Sequence, residues 1–123
     1  MRAAPVQPSR QRGAVAAIDT APLREAGYLV PGAPAGATAE EFRIVKRQLL
    51  ADMAALKGVE PERRRTVLIS SAQPSEGKSW CALNLALSLA AERDHDVLLI
   101  DGDVLKPDLF PRLGLEPDAP GLV

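Results

Sequence analysis

Residues 72–79 run Ala-Gln-Pro-Ser-Glu-Gly-Lys-Ser, and the last three put a bare backbone, a cation and a hydroxyl in direct succession. That combination suits a cluster of anionic oxygens. Gly77 lets the main chain approach without a Cβ in the way. Successive backbone N–H groups at the start of a helix add partial positive charge and wrap a phosphate. Lys78 is placed to reach terminal phosphates, and the Ser79 hydroxyl to ligate Mg²⁺. The spelling matches G-x-x-x-x-G-K-[ST] with Ala72 at the first glycine, a relaxation that still permits a tight turn. The contact set read from this loop is Ala72, Gln73, Pro74, Ser75, Glu76, Gly77, Lys78, Ser79 and Trp80. A chance Gly-Lys-Ser turn is the bland alternative, disfavoured by the flanks the motif demands.

A second constellation follows at Ile100-Asp101-Gly102-Asp103, where an apolar run ends in two carboxylates. Mg²⁺ prefers hard oxygen ligands, often through water, so Asp101 and Asp103 together with Ser79 form the candidate metal set. The same carboxylates could orient or deprotonate an attacking hydroxyl. An Asp-Gly-Asp turn is common in ordinary loops, a reading that the phosphate loop beside it disfavours.

Elements must hold these groups together. Thr66–Ser70 has the length and β-branching of a buried strand, expected over 66–70, and 96–101 reads as a second strand. Between them, Leu83, Ala86, Leu87 and Ala90 recur at helical spacing, which predicts a helix over 78–93. Parallel strands would bring the loop and the carboxylates to one carboxyl edge. The expected fold is therefore α/β: a P-loop NTPase-type parallel sheet with flanking helices, incomplete in this chain. Upstream, Thr38 and Glu41 read as a capping box. Phe42, Val45, Leu49, Met53 and Leu56 then recur every three or four residues, predicting a helix over 39–57 that Gly58 ends. Glu40, Arg43 and Lys46 share one face of it, a pattern that is most often simply solvated.

Residues 1–37, rich in Ala, Pro and Gly, read as a flexible lead-in, and 38–123 as one domain. After Asp103 the pattern leaves a loop with room for one helical turn. With 123 residues and a formal charge of −1, the chain allows one small domain and argues against a nucleic-acid binder that works by charge neutralisation. The one cysteine, Cys81, cannot form an internal disulfide and reads as a packed small residue. His95 reads as a turn residue. No run is long enough to span a membrane and no signal-peptide core is present, so a cytoplasmic setting is expected.

Pro74–Ser79, Ile100–Asp103 with Lys106-Pro107 after it, and Glu40-Glu41-Phe42-Arg43-Ile44-Val45-Lys46 together resemble the bacterial tyrosine kinase (BY-kinase) family. More narrowly, Glu41 through Leu50 and Ala91–Asp94 resemble the exosortase-associated tyrosine autokinases of exopolysaccharide production. The resemblance covers about residues 28–123. It implies ATP-dependent phosphoryl transfer from Mg-ATP to tyrosine, with Lys78, Asp101 and Asp103 as catalytic residues. It also implies self-association through Glu40, Arg43 and Lys46, and a membrane polysaccharide chain-length or export protein that recruits the kinase to the inner membrane.

The chain departs from that pattern in several places. Ser75 stands where the family usually has glycine, Trp80 is bulkier than usual, and Lys46 replaces an arginine and loses its bidentate fork. No third apolar strand ending in Asp and no tyrosine cluster follows; Tyr28 is the one tyrosine. These features predict the N-terminal portion of a longer kinase domain, inactive by itself. The competing readings are a partition or septum-site type ATPase switch, disfavoured by Gln73 where that class carries lysine, and a non-catalytic interaction fragment.

Overall fold

The computed structural model describes residues 15–115. Residues 1–14 of the lead-in, and the Pro117, Pro120 and Gly121 that punctuate the end, lie outside the described residues. The order is α1 (Thr20–Glu25), α2 (Ala37–Ala55), α3 (Pro61–Arg64), α4 (Lys78–Ala90) and α5 (Leu109–Arg112). Among the described residues there is no strand.

The expected parallel sheet is therefore corrected to an α-helical architecture. Residues 66–70 and 96–101 keep the alternation of strands: Val67 and Val97 are the less exposed, whereas Leu68 and Leu98 are 88% and 83% exposed. They border one apolar hollow with Leu49 and Met53 of α2 and Leu85 and Leu89 of α4. No ladder joins them. A two-stranded pair of five or six residues offers few hydrogen bonds, parallel pairing is the weaker kind, and one face here has nothing to cover it. Ordering such a pair costs about 1–2 kcal/mol per residue in backbone entropy, which so few bonds do not offset.

The segment read as a flexible lead-in supplies much of the core. Leu23, Tyr28 and Val30 form one buried cluster with Leu83 and Leu109, and Trp80, Leu87 and Leu99 pack against it. The Asp19 carboxylate caps α1 by accepting from the Ala21 N–H at 3.0 Å. Pro22 sits in the first turn, where its missing N–H costs nothing. Gly27, at φ +83, ends the helix. Its N–H donates to the Arg24 carbonyl and that of Tyr28 to the Leu23 carbonyl, the paired bonds of a Schellman stop, with Tyr28 and Leu23 in apolar contact. Gly114 closes α5 in the same way, through Gly114 to Pro111 and Leu115 to Phe110.

Helix α2 starts two residues before the expected boundary. Gly36 is its N-cap and no side chain caps it, so Thr38 lies inside the first turn and the capping box is not made. It packs on α4, and the register is pinned by Lys46. That lysine is 9% exposed, pairs with Glu92 and donates to the Ser88 carbonyl at 3.3 Å.

Candidate functional site

The 72–79 loop is held by its own polar groups. The Glu76 carboxylate accepts from the Gln73 N–H at 3.1 Å, and the Ser71 hydroxyl donates to the Gln73 carbonyl at 3.1 Å. Ser75 has φ +64, the left-handed region that costs a residue with a Cβ roughly 1–2 kcal/mol. Ala72 through Lys78 are exposed, while Ser79 and Trp80 are half-buried.

Gly77 is the N-cap of α4 at φ +84, and a Cβ there would meet no atom within 4 Å. Conformation, not crowding, calls for glycine. Having no side chain, it leaves the first-turn N–H groups of α4 without a side-chain cap. An uncapped helix start, followed at once by Lys78 and the Ser79 hydroxyl, offers donors and positive charge to a phosphate. The residues present fit that group.

Asp101 lies on the side of the molecule where Lys78 acts on it. Burial alone would raise its carboxyl value, but backbone N–H groups of Leu109, Asp103 and Asp108, with the Lys78 charge, hold it below the usual 3.8. The geometry is specific. Oδ1 accepts from Asp103 at 3.0 Å, and Oδ2 accepts from Asp108 at 2.8 Å and Leu109 at 3.1 Å. Asp101 thus folds the 101–109 loop onto itself and fastens the start of α5. Asp103 is more exposed, and its Oδ1 accepts from Lys106 at 3.0 Å.

Among the described residues no group of three or more His, Cys, Asp or Glu is arranged to hold a metal. A cation held by Ser79, Asp101 and Asp103 would draw most of its ligands from phosphate and water, as Mg²⁺ commonly does.

Other sequence expectations resolve differently. The Glu40–Arg43 pair is exposed on α2, with Arg43 Nε donating to Glu40 at 2.8 Å, and that bond lowers the Glu40 carboxyl value. Lys46 does not share their exposed face, because its ammonium is spent on the Ser88 carbonyl of α4 and on Glu92 in the turn just after that helix. Cys81 is exposed on α4 rather than packed.

Asn84, Asp108 and Arg112 shape the site although the sequence did not single them out, whereas Tyr28, Phe42 and Trp80 did stand out in it. Asn84 of α4 is fully buried, and its Oδ1 accepts from the Leu29 N–H at 2.8 Å. The Tyr28 ring lies 6.5 Å from that of Trp80, which meets Phe42 edge-on at 5.6 Å. The Tyr28 hydroxyl accepts from Arg112 at 2.9 Å, and Arg112 also pairs with Asp108. The run Asp19-Thr-Ala-Pro followed by Ala26-Gly27-Tyr28 carried the signal for α1: a cap, a proline in the first turn and a glycine stop.

Two curated proteins are similar to the chain. The succinoglycan biosynthesis transport protein ExoP of Rhizobium meliloti (strain 1021) is 42% identical over 103 residues, covering 79% of this chain and 12% of that protein. The tyrosine-protein kinase YwqD of Bacillus subtilis (strain 168) is 34% identical over 83 residues, covering 68% of this chain and 32% of that protein. The chain therefore spans well under half the length of either relative. No protein-family model matches it, and no solved structure does so significantly.

Proposed function

The chain belongs to the bacterial tyrosine kinase-like family, and on that premise we propose that it supplies the phosphate-gripping part of an ATP-dependent protein-tyrosine kinase serving exopolysaccharide production. The observation that carries this reading is the start of α4, where an uncapped glycine N-cap is followed directly by Lys78 and Ser79. Backbone N–H groups around Gly77 and the Lys78 ammonium bind the phosphates, with Ala72–Trp80 as the contact segment. Mg-ATP supplies the transferable phosphoryl group. Ser79 and Asp103 provide oxygen donors toward the cation, directly or through water.

Asp101 stays anionic through its three backbone donors and presents Asp103 at the loop edge. In the phosphotransfer reading, Asp103, the more exposed of the two, orients the tyrosine hydroxyl while Asp101 fastens the loop that carries Asp103. The exposed Glu40–Arg43 face of α2 is the proposed self-association surface, now without Lys46. A polysaccharide export protein is the proposed partner, drawing a cytoplasmic kinase to the inner membrane. No helix among the described residues is itself long and apolar enough to cross a membrane.

Trp80 is the one tryptophan and sits two residues after Lys78, so its emission reads the loop directly. Titration with Mg-ADP should change that emission saturably, and Lys78→Met should weaken the affinity at least tenfold. In the protein that carries this segment, Lys78→Met should also abolish phosphotyrosine formation. Undiminished binding and phosphorylation would remove the mechanism from consideration.

A further inference from the structure

Two separate elements carry the candidate site, the start of α4 and the Asp101 loop, and one segment near the N-terminus grips both. On the α4 side, the Leu29 N–H donates to buried Asn84 at 2.8 Å, and the Tyr28 ring packs near Trp80. On the other side, the Tyr28 hydroxyl accepts from Arg112 at 2.9 Å, and Leu109 packs into the cluster with Leu23, Tyr28 and Val30. Arg112 pairs with Asp108, whose own N–H is held by Asp101 Oδ2 at 2.8 Å. A continuous path therefore runs from the single tyrosine, 5% exposed, through Arg112 and Asp108 to the Asp101 carboxylate.

From this we infer that Tyr28 and Arg112 are positioning residues of the candidate site: together they latch the Thr20–Val30 segment across α5 and set the geometry of the Asp101–Leu109 loop against Lys78. The inference rests on the phosphotransfer reading for what the loop is used for, and on geometry alone for the latch. The fit is chemical. Two of the three elements joined, α1 and α5, are helices of six and four residues. Helices so short do not hold their shape without tertiary partners. The Tyr28–Arg112 bond is half-shielded and links residues 84 positions apart, so it fastens α5 to a distant part of the chain. A tyrosine so sequestered also serves poorly as a phosphoryl acceptor, which leaves its hydroxyl free for this structural duty.

Residue-resolved amide exchange on the full 123-residue chain, free of nucleotide, tests the latch. Tyr28→Phe keeps the ring and its packing and deletes only the hydroxyl. It should speed exchange at the Asp103, Asp108 and Leu109 amides at least tenfold while α2 amides stay within twofold of the parent. Arg112→Met should reproduce that pattern, and Arg112→Lys, which restores a donor, should recover part of the protection. Unchanged exchange at those three amides would overturn the latch. So would an equal acceleration throughout α2 and α4, because a merely structural tyrosine would loosen every element alike. Failure of the parent chain to bind Mg-ADP would count against the nucleotide reading alone, since exchange is read without nucleotide.

Discussion

Asp101→Asn separates a fastening carboxylate from a spectator. The native side chain accepts from Asp103 at 3.0 Å on Oδ1 and from Asp108 at 2.8 Å and Leu109 at 3.1 Å on Oδ2. An amide has one oxygen. Turning it toward Asp108 and Leu109 aims its NH₂ at the Asp103 N–H and loses that bond. A hydrogen bond to a charged group contributes roughly 1.5–3 kcal/mol and a neutral one roughly 0.5–1.5. One bond lost and two made neutral would sum to about 4 kcal/mol in a dry site. Asp101 is only partly buried, so water recovers about half, and the expected cost is about 2 kcal/mol, or about 10 °C in Tm for a domain of this size. The pH dependence gives a second check. A carboxylate held below its ordinary 3.8 contributes stability that is complete above that value and disappears as pH falls through the lowered one. Thermal melts of parent and variant across pH should therefore differ by a constant amount well above 3.8, begin to approach one another near it, and converge only below the lowered folded-state value. A difference under about 0.5 kcal/mol, the usual range for surface substitutions, or one that persists undiminished in acid, would refute the fastening role.

Ser75→Gly should raise stability by about 0.5–1 kcal/mol, the relief of a left-handed Cβ less the extra entropy of glycine in the unfolded chain; a melt showing a loss would mean Ser75 makes a stabilising contact worth more than its strain. Lys46→Glu should lower the melting temperature by setting a second carboxylate against Glu92 at the end of α4, and adding Glu92→Lys should restore most of it. Absence of that rescue would show that the lysine stem, not the ion pair, joins the helices.

How much of this was legible depends on where each feature gets its stability. The long helices α2 and α4 follow from apolar periodicity and survive with shifted ends, because many repeats vote for the same register. The α2 boundary moved because Thr38 satisfies no N–H and Gly36 takes the cap. The left-handed backbone at Ser75 and Gly77 was not spelled out: Gly77 suggested close approach to a phosphate, and a serine gives no local sign that its φ is positive. The sheet was not legible as absent. Residues 66–70 and 96–101 carry strand periodicity, yet a ladder depends on partners that no local pattern reports. Lys46 shows the same limit from the opposite side. Its spacing with Glu40 and Arg43 suggested one solvated face, while its fate is decided by Glu92, 46 positions away.

Buried Asn84 shows why proline and glycine content misled the reading of the lead-in. Composition argues for disorder when a segment cannot bury enough apolar surface to offset its ordering entropy. Thr20–Val30 escapes that rule because three apolar side chains, Leu23, Tyr28 and Val30, are delivered to one side by a capped helix and a Schellman stop. Full burial of such side chains contributes about 1.5–3 kcal/mol each. The Leu29 N–H then meets the Oδ1 of fully buried Asn84, an acceptor that would cost about 1–3 kcal/mol if left unpaired. Proline and glycine here occupy the first turn and the stop, the positions at which they favour a short helix. A segment dense in helix breakers can thus be ordered when each breaker falls at an end. That ordering places Tyr28 within reach of both Trp80 and Arg112, so a segment more than forty residues before the loop bears directly on its geometry.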